Sequence, residues 1–287
     1  PDRMRLHYTL RVTLTLLLAL GAAALCVALR TPLPWMIGPL VVTAVASMAG
    51  APTESWAPLR NGGQWVIGAA LGLYFTPQVM ALVASLWWAI LLAIAWALML
   101  GVSFAAVLYR LHAPRLAGVA PDAMRATAFF AGAVGGASEM TLLAERVGAR
   151  TDLVAAAHSL RLMVVVLVIP FGLQASGLTA VDVTSPGPRI VHPSGLLALG
   201  ACTVAGALVM QRLGRANPWF MGSLVVAMGF TMAGITLSAI PLALSNAAQL
   251  VIGVSLGVRF TSGFLHTAPR WLASVALGTL VMMGLCA

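Results

Sequence analysis

The chain has 287 residues, 61% of them hydrophobic and only 8% charged, with a mean hydropathy of +0.99. Apolar runs of about 18 or more residues recur, which excludes a soluble globular domain and reads as an all-α polytopic membrane protein. The net charge of +9 does not indicate nucleic acid: all sixteen basic residues are Arg, and they flank apolar runs instead of forming one stripe, as membrane anchoring requires.

Residues 12–29 predict a first span, broken by Pro32 and Pro34. The run could imitate a signal peptide, but it lacks a small-residue cleavage site and more spans follow. A second, short span covers 35–50, and a loop with Pro52, Glu54 and Pro58 follows. Residues 64–76 form a third apolar piece, shorter than the roughly 20 residues of an upright helix, so it must be tilted, broken or in a thinned region. Residues 79–109 predict one long, steeply tilted helix, ended by Arg110, His112, Pro114 and Arg115. A glycine-broken stretch at 121–148 precedes a span at 153–174. A polar loop at 175–193 carries Asp182, Pro186, Pro188 and Arg189. Apolar pieces return at 195–211, 218–234, 247–260 and 271–287. Cys26, Cys202 and Cys286 are lone thiols in apolar surroundings and form no metal spacing.

The stretch 121–170 concentrates the chemistry. Four of the seven acidic residues, Asp122, Glu139, Glu145 and Asp152, fall there, with His158 and Arg161. At its middle lie Gly132, Gly135, Gly136, Ser138 and Glu139. A run this polar and glycine-rich is not a lipid-facing helix; at membrane depth it must be buried in protein or line a wet cavity.

The chain repeats itself. Pro34-Trp35-Met36-Ile37-Gly38 matches Pro218-Trp219-Phe220-Met221-Gly222 at an offset of 184, and Met48-Ala49-Gly50 matches Met232-Ala233-Gly234 at the same offset. The block 59–76 matches 244–261 at 185, aligning Gln64 with Gln249 and Asn61 with Asn246. Internal duplication is typical of secondary transporters. At this offset a second copy of the 121–174 unit falls near residue 305, which predicts a whole protein of roughly 350 residues and a truncated second repeat here. The domains expected are a first repeat at 1–174, a loop at 175–193 and an incomplete second repeat at 194–287.

Arginine sets the orientation. With the N-terminus in the cytoplasm, a re-entrant hairpin at 121–148 places thirteen Arg inside, with Arg30 and Arg189 outside and Arg161 within a span. A crossing there would leave no inside bias. The positive-inside rule therefore favours the hairpin, and each repeat then has five spans, an odd number that makes the two repeats inverted.

Several residues are candidates for binding. Gly132, Gly135 and Gly136 let two half-helices meet tip to tip. Ser138 and Glu139 fall in the first turn of the second, where free N–H groups and a positive dipole end gather. Ser138 can cap that turn or donate to a ligand; Glu139 can complement the dipole, bind a cation or take a proton. His158 and Arg161, three apart, share a helix face. Arg161 can pair with Glu139, hold an anion or make a fixed structural pair, and His158 can carry a proton. Asp122 and Arg125 read as an ion pair at the hairpin entrance. Gln64 and Gln249 can coordinate an ion or solute, or join helices. Gly68 with Gly72, and Gly253 with Gly257, read as small-residue packing faces. An enzyme is not expected: His7, His112, His158, His192 and His266 are scattered without metal spacing, and no nucleophile motif or phosphate loop occurs.

The Gln-x-Val-Ile-Gly-x-x-Leu-Gly-x-x-Phe-Thr blocks at 64–76 and 249–261, the Pro-Trp-x-x-Gly blocks and the Gly-Gly-x-Ser-Glu-Met tract at 135–140 resemble the AbrB membrane protein family. The chain departs from that pattern at Gly132-Ala133-Val134, where a proline is expected. The resemblance implies a duplicated hydrophobic module, and carries two functional labels, regulator of gene expression and ammonia monooxygenase. The residues themselves point to a bacterial inner-membrane secondary transporter of a small anionic solute coupled to H⁺ or Na⁺. Ser138, Glu139 and Arg161 are its expected core, with His158, Gly135, Gly136, Gln64 and Gln249. Expected partners are the bilayer and the solute, with a homodimer as one assembly open to it and no metal cofactor. A membrane-embedded regulator is the second reading, and the oxygenase a lesser third.

Overall fold

A computed structural model describes residues 2–114, 120–177, 190–263 and 268–286. Among them are twelve helices and no strand: α1 (Asp2–Ala28), α2 (Pro34–Met48), α3 (Ala57–Gly72), α4 (Pro77–Ser85), α5 (Trp87–His112), α6 (Pro121–Gly132), α7 (Ala137–Arg146), α8 (Thr151–Ala175), α9 (Pro193–Arg212), α10 (Pro218–Met232), α11 (Leu242–Gly257) and α12 (Pro269–Cys286). Arg115, Asp182, Pro186, Pro188, Arg189 and His266, named above, lie outside the described residues, as do the side chains of Arg3 and Arg5.

α1, α5, α8, α9 and α12 are each long and apolar enough to cross a membrane, and the protein is a helical multi-pass membrane protein. The outer faces agree. Along α5, Trp87, Trp88, Leu91, Leu92, Leu98 and Val102 are all exposed, a surface suited to hydrocarbon and not to water. Hydroxyls inside apolar helices satisfy themselves: Thr43, Thr127, Thr203, Thr231 and Thr279 each bond the carbonyl four residues back.

Two of the expected helices differ. The 64–76 piece begins earlier, at Ala57, and bends 77° across Leu73–Thr76 into α4, whose start is capped by the Thr76 hydroxyl accepting from the Val79 N–H. The long helix expected over 79–109 is two helices. It breaks at Leu86, where the Ser85 hydroxyl bonds back to Leu82 O and Leu86 leaves helical geometry at φ −103°, ψ 19°. A back-bonding serine competes with the helical ladder, and the bulky Trp87-Trp88 pair starts the next helix.

The chain forms two compact units, Pro1–Leu86 with Leu173–Arg259, and Trp87–Gly172 with Phe260–Ala287. In the first, α2 packs between α1 and α11, and α10 packs between α9 and α3, while α3 and α11 touch each other. Positions 184 or 185 apart make like contacts. A Cβ on Gly253 would lie 2.6 Å from Met36 O on α2, and one on Gly72 would lie 2.6 Å from Leu224 O on α10; Gly68 and Gly257 sit as close to Phe220 and Leu40. Only glycine admits backbones this near. Leu33 and Asn217, before Pro34 and Pro218, both take left-handed φ of 45° and 46°. At the α3–α11 contact Gly63 faces Ala248 O, the position 185 residues on.

In the second unit, α5 holds α6 on one flank and α12 on another. A Cβ on Gly132 would fall 2.9 Å from the Ala105 backbone, so the end of α6 rests on the middle of α5. Trp271 of α12 is fully buried, donating its indole N–H to Leu153 O at 3.2 Å and taking the His112 ring edge-on at 5.1 Å.

Candidate functional site: the α6–α7 tip and α8

α6 ends at Gly132 because Ala133 turns extended (ψ 149°), and α7 starts after Gly136, also extended. Twelve and ten residues long, neither helix reaches the length of a span. Beyond α7 the chain comes back beside α6: the Arg150 N–H donates to the Thr127 hydroxyl at 2.9 Å, halfway along α6.

The end of α6 would leave its last carbonyls unpaired. α8 supplies the donors. His158 Nε2–H donates to Phe130 O at 2.9 Å, and Arg161 donates through Nη1 to Ala133 O at 3.0 Å and through Nη2 to Ala131 O. A cation on the negative end of a helix dipole also gains electrostatically. The guanidinium lies 5.8 Å over the Phe104 ring, and its Nε is buried without a hydrogen-bond partner. The pairing of Arg161 with Glu139 does not form, because the α6 carbonyls take the guanidinium instead. Nor do Asp122 and Arg125 pair: Arg125 lies over the Tyr109 ring at 5.5 Å, and the ion pair found among the described residues is Arg150–Asp152 at 2.6 Å.

The start of α7 is furnished differently. No side chain caps Gly136. Glu139, three residues into the helix, is exposed and folds its carboxylate back, so that a Cβ on Gly136 would sit 3.3 Å from Oε2. That is the position from which an acid complements the dipole. Gly135 lies under the Met140 side chain. Ser138 is in the first turn of α7; its side chain lies outside what the structure describes. The tip thus has one end closed by N–H donors from α8 and one end facing outward with a carboxylate on it.

Residues 35–287 match the family model described as "Transition state regulatory protein AbrB". The chain belongs to the AbrB family. A relative in Bacillus subtilis (strain 168), named Uncharacterized protein YhjN, is 27% identical over 253 residues, covering 78% of this chain. The chain spans about 62% of that relative's length. No solved structure matches with significance.

The remaining predicted residues of this AbrB-family chain lie elsewhere. Gln64 and Gln249 belong to the first unit, each next to the Gly63–Ala248 contact and half-buried, while Glu139, His158 and Arg161 belong to the second. Among the described residues no three His, Cys, Asp or Glu cluster as a metal site would need. Phe104 and Thr127 also build the tip and escape sequence reasoning. Phe104 is one aromatic among many in an apolar helix, and Thr127 acts through a backbone N–H 23 residues on.

Proposed function

We propose that this chain belongs to an inner-membrane secondary transporter that moves a small anionic solute with H⁺ or Na⁺ and is not an enzyme. The observation that carries the reading is the α6–α7 tip, a chain break resting on the middle of α5 and fastened to α8 by Arg161. The return of Arg150 to Thr127 supports a re-entrant hairpin, and both ends then lie on the cytoplasmic side with the N-terminus. The like contacts at 184 and 185 residues support two inverted repeats, each contributing helices to the first unit.

The tip suggests how a proton would couple to an anion. The N–H groups at the start of α7 attract negative charge, and the Glu139 carboxylate already occupies their field. Protonating Glu139 removes that competitor and frees the helix end for a solute carboxylate. Arg161, fixed on the end of α6, adds positive charge beside the tip. With Na⁺ as coupling ion, Glu139 would instead be a ligand.

A thermal-shift screen of the purified protein tests this, with small organic acids, amino acids and sulfonates at about pH 5 and about pH 7.5, with and without Na⁺. The reading expects a stabilising acid whose dependence on pH or Na⁺ is reduced in Glu139→Gln relative to the wild type. A hit whose pH or Na⁺ dependence survives Glu139→Gln would sink the role of Glu139. The family description favours a second reading, a membrane-embedded regulator, for which a bound acid gives no flux into sealed proteoliposomes. The oxygenase reading requires stoichiometric copper or iron in the purified protein.

A further inference from the structure

We propose that the apolar pocket between α3 and α9 is a binding site for one lipid acyl chain. The pocket holds about 440 Å³ and is walled by Trp65, Ala69, Leu196, Gly200, Val204 and Ile240, all in the first unit. Its polar atoms are already used. The Trp65 indole N–H donates to the Thr203 hydroxyl at 2.8 Å, and that hydroxyl donates to Leu199 O at 2.7 Å. Indole has no second donor, so the walls offer a ligand only apolar contact. Water has no partners there. The volume is about three times the roughly 150 Å³ of an apolar cavity that takes benzene, room for roughly eighteen carbon-sized groups.

The medium at the mouth names the occupant. α9 is one of the five spanning helices, and Leu197 at the pocket edge is 76% exposed. In a membrane that edge meets hydrocarbon, and an unfilled pocket would forfeit the dispersion contacts of its whole lining.

The matching interface elsewhere in the chain is closed, so the pocket is a product of particular residues. At offsets of 184 and 185, Trp65, Ala69, Gly200 and Thr203 correspond to Leu250, Val254, Leu16 and Ala19. There Leu250 and Val254 bury against Ala19 and Ala23, and Leu16 packs over them. Leu16 fills the space that Gly200 leaves open. A Cβ on Gly200 would meet only Trp65 Cζ2, at 3.7 Å, so a larger residue fits without a backbone clash.

The test uses the full chain in nanodiscs of phosphatidylcholine carrying a diazirine at mid-chain, with adducts mapped by peptide mass spectrometry. We expect the α3 and α9 pocket peptides to be labelled at least ~5-fold above the exposed face of α5. Gly200→Leu, and separately Val204→Phe, should remove that excess while α5 labelling and the melting temperature hold. Pocket labelling equal to that of α5, or unchanged in a folded filled variant, would overturn the proposal. So would photo-crosslinking from a benzophenone at position 197 to a second copy of this chain.

Discussion

Arg161 joins three elements, and its loss has a calculable cost. Arg161→Met keeps the aliphatic length and removes two hydrogen bonds, to Ala131 O and Ala133 O at the end of α6. Bonds from a charged donor are worth about 1.5–3 kcal/mol each, so the gross loss is about 3–6 kcal/mol. Relief acts against it: a half-buried cation with an unpartnered Nε no longer has to be desolvated. The net destabilisation is about 2–4 kcal/mol. At about 2–4 °C per kcal/mol for a chain of this size, the melting temperature should fall by roughly 4–16 °C. Tryptophan fluorescence on the detergent-purified protein reads this, with Arg161→Lys expected in between because an ammonium reaches one carbonyl at a time. A variant that melts within about 1 °C of the wild type would refute the argument that α8 closes the end of α6.

Three further outcomes follow from the same geometry. His158→Phe leaves the Phe130 carbonyl unpaired and should cost about 1–3 kcal/mol in the same melt, less than Arg161→Met; an equal or larger loss would mean that His158 is the main fastening. Gly72→Val drives a side chain into Leu224 O and should prevent folded protein from accumulating, whereas Gly62→Ala, with nothing within 4 Å, should be neutral or stabilising by up to about 1 kcal/mol; size-exclusion profiles after expression separate the two. Single cysteines at Asp122 and Gly148, in a background lacking Cys26, Cys202 and Cys286, should both react with an impermeant maleimide from the cytoplasmic side only; labelling from opposite sides would show that the hairpin crosses.

Much of the scaffold is readable in the sequence because its signals are local. α2, α4, α6, α9, α10 and α12 all begin at a proline, whose missing N–H costs nothing at the first helical position. The Gly68 and Gly72 pair and its counterpart at 253 and 257 are readable because backbone contact tolerates one residue type at helical spacing. The fastening of the tip is not readable in this way. Arg161 bonds main-chain carbonyls, which carry no residue letter, so a search for its partner among acids leads to Glu139. The Trp65–Thr203 bond joins residues 138 apart in sequence, with nothing at either position to announce it. The break at Leu86 is missed because a serine in an apolar run can leave a helix intact or interrupt it.

The crossed packing of the first unit has a consequence for biosynthesis. α2 meets α1 backbone to backbone at Gly38 but takes its second such partner from α11, about 200 residues downstream, and α3 takes its own from α10. At about 5–20 residues per second, α2 waits roughly 10–40 s in the bilayer before α11 exists. Neither the N-terminal nor the C-terminal run of helices holds both sides of these contacts, so neither should assemble the first unit unaided. The two made from separate messages should find each other in the membrane, because every glycine contact that joins α2 to α11 and α3 to α10 lies between them and not within either one.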